Sequence, residues 1–235
     1  LKVLITRPQP DAEAFAEHCR REGLEPVVAP LIAVKFVDDW TAPARAGALA
    51  FTSANGVRAF ASHSRVRSLA AFCVGAATAD TAAEAGFSSI SVANGDVDSL
   101  AALIAKNAGA LPGPVIHIAG TRRAGDLVAL LHENGVAAER IVAYETVEAT
   151  NLPDAARAAT GSGRAVAVTL FSPRTAKLFL NLVGGAGMTE ALTRCRAVCL
   201  SDAVAEIAAG AAWRVIDTAK DRTAASMIAL LKAGA

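Results

Sequence analysis

FCVGAATADTAAEAGFSSISVANGDVDSLAALI, residues 72–104, and VCLSDAVAEIAAGAAWRVIDTAKDRTAASMIAL, residues 198–230, decide the fold. Laid over each other, they match Cys73 with Cys199 and Phe87 with Trp213 without a gap. Only the loop before the last helix differs by a residue. Each copy reads strand, helix, short strand, loop, helix, and self-similarity over such a length marks a repeated supersecondary unit.

Working outward, the repeat extends to both sides. ALAFTSANGVRAFA (48–61) returns as AVTLFSPRTAKLFLN (167–181), each a strand ending on phenylalanine, then a hydroxyl residue, then a helix. KVLITRPQPDAEAFAEHCRREGLEPVVAP (2–30) returns as PVIHIAGTRRAGDLVALLHENGVAAERIVAY (114–144), a strand, helix, strand unit. In both, a glycine (Gly23, Gly135) stops the helix, as a left-handed residue just past a helix end does. The order is therefore A, B, C, A, B, C. Strands alternating with helices predict an α/β protein whose parallel sheets are covered on both faces.

The segments LIAVKFVDD (31–39) and VAYETVEAT (142–150) differ from the rest by alternating apolar and polar residues, the mark of a half-exposed strand. Two such crossings suit a two-stranded connection between lobes. Tyr144, the one tyrosine of the chain, falls on the second and is expected at its edge.

Composition limits the function classes. The 235 residues carry 23 Lys and Arg against 22 Asp and Glu, a formal net charge of +1. Nucleic-acid binders carry a marked basic excess, so none is expected as partner. No apolar run approaches the ~18 residues of a membrane span. The chain opens on the strand-like LKVLITRP with no signal-peptide pattern, so a cytoplasmic protein without membrane attachment is expected. Cys19, Cys73, Cys195 and Cys199 show no CxxC spacing and read as core residues. His18, His63, His117 and His132 are scattered, so no metal site is expected. No GxxxxGKS or GxxxxGKT loop is present, and VGAATADTAAEAG lacks dinucleotide-loop spacing.

With VLITRP, FTSANGV, VGAAT, VAYET, FSPRTA and the closing C unit in this order and at these separations, the chain resembles the uroporphyrinogen-III synthase family along essentially its whole length. The resemblance implies two doubly wound parallel-sheet domains joined by a two-stranded β-ladder, with a cleft between them. It implies that the A units are exchanged: residues 1–33 and 150–235 form one domain and 45–139 the other. Residues 34–44 and 140–149 would form the ladder.

The family's substrate is hydroxymethylbilane, a linear tetrapyrrole with eight carboxylates. The enzyme closes the macrocycle, inverts ring D and loses water, through an azafulvene and a spirocyclic pyrrolenine. No cofactor is implied. A monomer is expected, open to transient contact with the deaminase that precedes it. Such chemistry asks for a donor to departing hydroxide, for positioning of ring D, and for carboxylate binding. Helix N-termini supply the last without a large basic surface.

The resemblance assigns the donor to Tyr144, whose phenol carries a proton it can give. Thr52, Ser53, Thr78, Ser172 and Ser201 are read at passages from strand to helix, where hydroxyls cap helices and open α/β sheets bind ligands. Ser201 and Asp202 stand where many relatives have a glycine, a proline and paired threonines. Arg7, Arg122 and Arg123 are the expected carboxylate partners. The rival expectation is a bilobed tetrapyrrole-binding module without catalysis.

Overall fold

The computed structural model describes residues 1–41, 45–122, 125–163 and 166–233. In chain order its elements begin with β1 (Lys2–Ile5), α1 (Asp11–Arg21), β2 (Glu25–Val28), β3 (Ile32–Phe36), β4 (Ala48–Phe51), α2 (Ala54–His63), β5 (Ala70–Cys73), α3 (Ala76–Glu84), β6 (Ile90–Val92) and α4 (Val97–Asn107). They continue with β7 (Val115–Gly120), α5 (Leu127–Glu133), β8 (Ala138–Glu148), α6 (Asp154–Gly161), β9 (Val166–Leu170), α7 (Pro173–Gly185), β10 (Cys195–Cys199), α8 (Asp202–Ala208), β11 (Val215–Thr218) and α9 (Ala224–Ala233). The chain divides into two compact units, Leu1–Ala33 with Val147–Ala235, and Val34–Thr146.

In the first unit the sheet runs β11-β10-β9-β1-β2, all parallel. β1 lies beside β9 with Lys2 opposite Val166. The second sheet runs β3-β8-β7-β4-β5-β6 and is parallel from β8 to β6. There β7 takes the place that β1 has in the first unit, with Ala48 opposite Val115. Each sheet is therefore completed by a strand, helix, strand unit from the other half of the sequence.

Alternation along the strands fills a core on each face. On β1, Leu4 joins Phe179, Val183 and Cys199, whereas Val3 and Ile5 join Phe15, Met227 and Leu231. On β7, Ile116 and Ile118 join Phe51, Phe60 and Phe87, while Val115 faces Leu100, Ile104 and Leu131. Sheets covered on both faces need apolar side chains at both parities, and these strands supply them. Both helix-stopping glycines lie in the left-handed region, Gly23 at φ 73° and Gly135 at φ 72°. Leu24 N–H bonds Cys19 O and Val136 N–H bonds Leu131 O, each at 2.9 Å, which closes the two helices in the same way.

The caps correct one detail of the repeat. Ser53 accepts a hydrogen bond from Asn55 N and Ser172 one from Thr175 N, so these two residues are equivalent. Phe51 then corresponds to Leu170, and Thr52 to Phe171. Tyr144, expected at an edge, sits inside the sheet at 8% exposure, because the eleven-residue β8 runs between β3 and β7. Burial holds the Cys73 thiol up at about 11 and Cys199 at about 12, which keeps both as protonated core thiols.

Candidate active site

In the second unit β4 ends at Phe51, and the chain turns through Thr52 and Ser53 into α2. Next to it β7 ends at Gly120, where the pairing with β8 slips: Ala119 faces Val142 but Gly120 faces Tyr144. This irregularity aims the tyrosine ring at the glycine. A Cβ at position 120 would sit 2.6 Å from Cε2 and 2.8 Å from Cζ of Tyr144, so only glycine lets the ring lie there.

These strand ends enclose a recess of about 160 Å³ lined by Thr52, Ser53, His117, Arg122, Arg140 and Tyr144. Arg140 comes from β8 and donates from Nη2 to the carbonyl of Gly120. Asp126 caps α5 by accepting from Ala129 N at 3.2 Å and also borders the recess. The recess is too small for a whole ligand of ordinary size, which needs ~300 Å³ or more. It has room for one or two small polar groups.

His117, on β7, is 6% exposed. Its Nε2 lies 3.0 Å from Thr52 Oγ1, and its Nδ1 is buried with no hydrogen-bond partner among the described residues. A buried polar atom left unpaired costs ~1–3 kcal/mol. Burial first, then the Arg140 guanidinium, pushes the imidazole down to about 4, with Asp126 pulling the other way. The ring is neutral at physiological pH.

Residues 13–229 match the sequence profile of the family described as uroporphyrinogen-III synthase HemD. The chain belongs to that family. Uroporphyrinogen-III synthase is an enzyme of haem biosynthesis, and the strand-end recess is accordingly a candidate active site. No match was found among curated proteins. Among solved structures, the uroporphyrinogen-III synthetase of Helicobacter pylori is 16% identical over 100% of this chain and 99% of that chain, with a TM-score of 0.65. A mutant uroporphyrinogen III synthase of the extremely thermophilic bacterium Thermus thermophilus is 19% identical over 99% and 98%, with a TM-score of 0.55. At such identities the likeness is one of fold.

Of the residues expected in a uroporphyrinogen-III synthase site, the recess brings together Thr52, Ser53, Arg122 and Tyr144. Thr78 is not at a helix cap. It lies inside α3 at 5% exposure, where the other repeat has the core residue Val204, and Gly75 holds the cap position. Arg7, Ser172 and Ser201 belong to the first unit. Arg7 pairs with Asp11 at 3.0 Å and lies 4.4 Å from the Phe171 ring centroid. Ser172 caps α7, whereas the Ser201 side chain makes no cap bond to α8. Arg123 lies outside the described residues.

Of the titratable lining residues, His117, Asp126 and Arg140 were not anticipated. One signal for His117 was available: a polar residue in the otherwise apolar run VIHIAG, at the place where the first A unit has Ile5. Arg140 carried no signal, since its long side chain is placed by the strand pairing alone. Among the described residues no helix is long and apolar enough to cross a membrane.

Proposed function

We propose that this protein closes hydroxymethylbilane to uroporphyrinogen III as a lyase, inverting ring D and losing water through an azafulvene and a spirocyclic pyrrolenine. The observation that carries this reading, within the family, is the convergence of a phenol, a threonine hydroxyl and two guanidinium groups on one strand-end recess. Arg122 and Arg140 suit carboxylates, because a planar fork of N–H donors matches the geometry of a carboxylate. The N-terminal end of the α2 dipole, beside Thr52 and Ser53, adds a further attraction for negative charge. Tyr144 is the general acid that protonates the departing hydroxide.

Since the recess takes side arms and not the whole tetrapyrrole, its task is to hold one ring so that the reacting carbons meet. Arg7, Arg123, Ser172 and Ser201 are further proposed contacts for the remaining carboxylates; Thr78 is left to core packing. The protein acts as a cytoplasmic monomer that receives substrate from the preceding deaminase.

The test is the product isomer ratio. Hydroxymethylbilane is generated in situ by a deaminase, the protein is added, and the oxidised porphyrins are separated by chromatography. A shift from type I to type III supports the proposal. A type I profile identical to the blank, from a folded sample, overturns it in favour of a tetrapyrrole-binding module.

A further inference from the structure

The equivalence of the two units exposes one position where they disagree in chemistry. Ile5 on β1 faces Thr169 on β9, and His117 on β7 faces Ala50 on β4. Ile5 and His117 therefore hold the same place in their sheets, as do Phe171 and Thr52 after the neighbouring strand. In the first unit this place is apolar: Ile5 is fully buried, and Phe171 packs on Phe15 with ring centroids 5.0 Å apart. In the second unit the same place carries an imidazole bonded to a hydroxyl at the mouth of the recess. The fold does not need polarity there, so the polar pair has another task.

The hydrogen-bond inventory says which. An orphaned buried N–H is rarer than an orphaned buried acceptor. By the same preference the unpartnered Nδ1 is assigned the lone pair, which makes Nε2–H the donor to Thr52 Oγ1 across their 3.0 Å contact. A hydroxyl that receives a hydrogen bond from the ring turns its own hydrogen elsewhere, and the recess lies before it. Arg122 and Arg140 line that recess beside the one carboxylate of Asp126, and two guanidinium groups against one carboxylate favour an anion as the group a donor would meet.

We infer that His117 is a positioning residue that holds the Thr52 hydroxyl as a hydrogen-bond donor toward a carboxylate arm of the substrate. The inference rests on the proposed role of Thr52 as a substrate contact. His117 itself does not touch the carboxylate: it selects, by its tautomer, which way the hydroxyl proton points. Because the ring is neutral, it orients the hydroxyl without adding a charge that would draw the carboxylate away from the two arginines.

Two measurements test this. In wild-type protein labelled with ¹⁵N at histidine, long-range proton–nitrogen correlation should show His117 protonated at Nε2; protonation at Nδ1 overturns the inference whatever the variants do. Steady-state kinetics on hydroxymethylbilane then compare Thr52→Val, His117→Leu, His117→Gln and the double variant Thr52→Val/His117→Leu. Loss of a hydrogen bond to a charged group should raise KM about tenfold in Thr52→Val, and somewhat less in His117→Leu, with kcat changed little. The glutamine amide, standing in for Nε2–H, should restore most of the affinity. The double variant should be no worse than Thr52→Val, since His117 acts through that hydroxyl.

A wild-type KM in His117→Leu, or effects that multiply in the double variant, overturns the inference while leaving Thr52 as a contact. A wild-type KM in Thr52→Val removes the contact as well. If His117→Leu does not fold, the tautomer together with Thr52→Val and His117→Gln decides: a glutamine variant as impaired as Thr52→Val sinks the idea.

Discussion

The strand orders β11-β10-β9-β1-β2 and β6-β5-β4-β7-β8 are the same, yet the β1–β9 pair and its counterpart β7–β4 treat buried polarity differently. In the first, Thr6 and Thr169 are fully buried, and each hydroxyl donates to a backbone carbonyl, Thr169 O at 2.8 Å and Leu4 O at 3.0 Å. These groups are satisfied internally and lock β1 to β9. In the second, His117 is half-satisfied and borders an open recess. A satisfied buried group is read as structure. One left short of a partner where it lines a recess, and where the sister unit shows an apolar alternative, is read as function.

The largest expected effect sharpens this contrast at Tyr144. Tyr144→Phe should lower kcat about 10³-fold, ~4 kcal/mol in the barrier, with an unchanged unfolding midpoint. An unchanged rate would remove the phenol from the mechanism. Next comes acid. The unfolded His117 ring titrates near its ordinary 6.5 and the folded one near 4. Between these values the unfolded chain binds a proton that the folded protein refuses. Stability present above pH 6.5 is therefore lost as the pH falls to 4, by up to about 3 kcal/mol. His117→Gln should flatten this part of the pH–stability curve measured by denaturant unfolding; parallel curves for the two proteins would show that the ring is not the titrating group.

Gly120→Ala should destabilise by ~2 kcal/mol and lower turnover, because the new methyl overlaps the Tyr144 ring. A neutral result would mean that the ring is free to move aside. The smallest effect is the most direct attack on the comparison. Thr52→Phe with His117→Ile gives the second unit the apolar pair of the first. It should fold with stability equal to wild type or higher by ~1 kcal/mol at neutral pH. A loss of several kcal/mol would break the equivalence of the two positions.

Much of the architecture could be read from residues because it is written locally. The Cys73–Cys199 and Phe87–Trp213 matches reflect core positions of a repeated unit, and Gly23 and Gly135 mark helix ends through backbone conformation. The phenylalanines misled: Phe51 and Phe171 look equivalent, but the helix caps align Ser53 with Ser172 and shift the pairing by one. Tyr144 was expected through the family pattern and lines the recess, but its burial was not legible, since that depends on β3 joining the far side of β8. Thr52 was expected as a hydroxyl at a strand end. Its partner was not, since Thr52 and His117 are 65 residues apart and meet only because β7 inserts beside β4.

That exchange of strands also sets the order in which the protein can assemble on the ribosome. Val34–Thr146 is one unbroken stretch and has every strand it needs once β8 has emerged. β1, made before that stretch, must wait for β9, its partner across the pairing of Lys2 with Val166. At typical synthesis rates that delay is on the order of ten seconds. β1 and α1 thus wait unpaired while Val34–Thr146 can fold, and the unit whose strands lie far apart in the sequence finishes folding last.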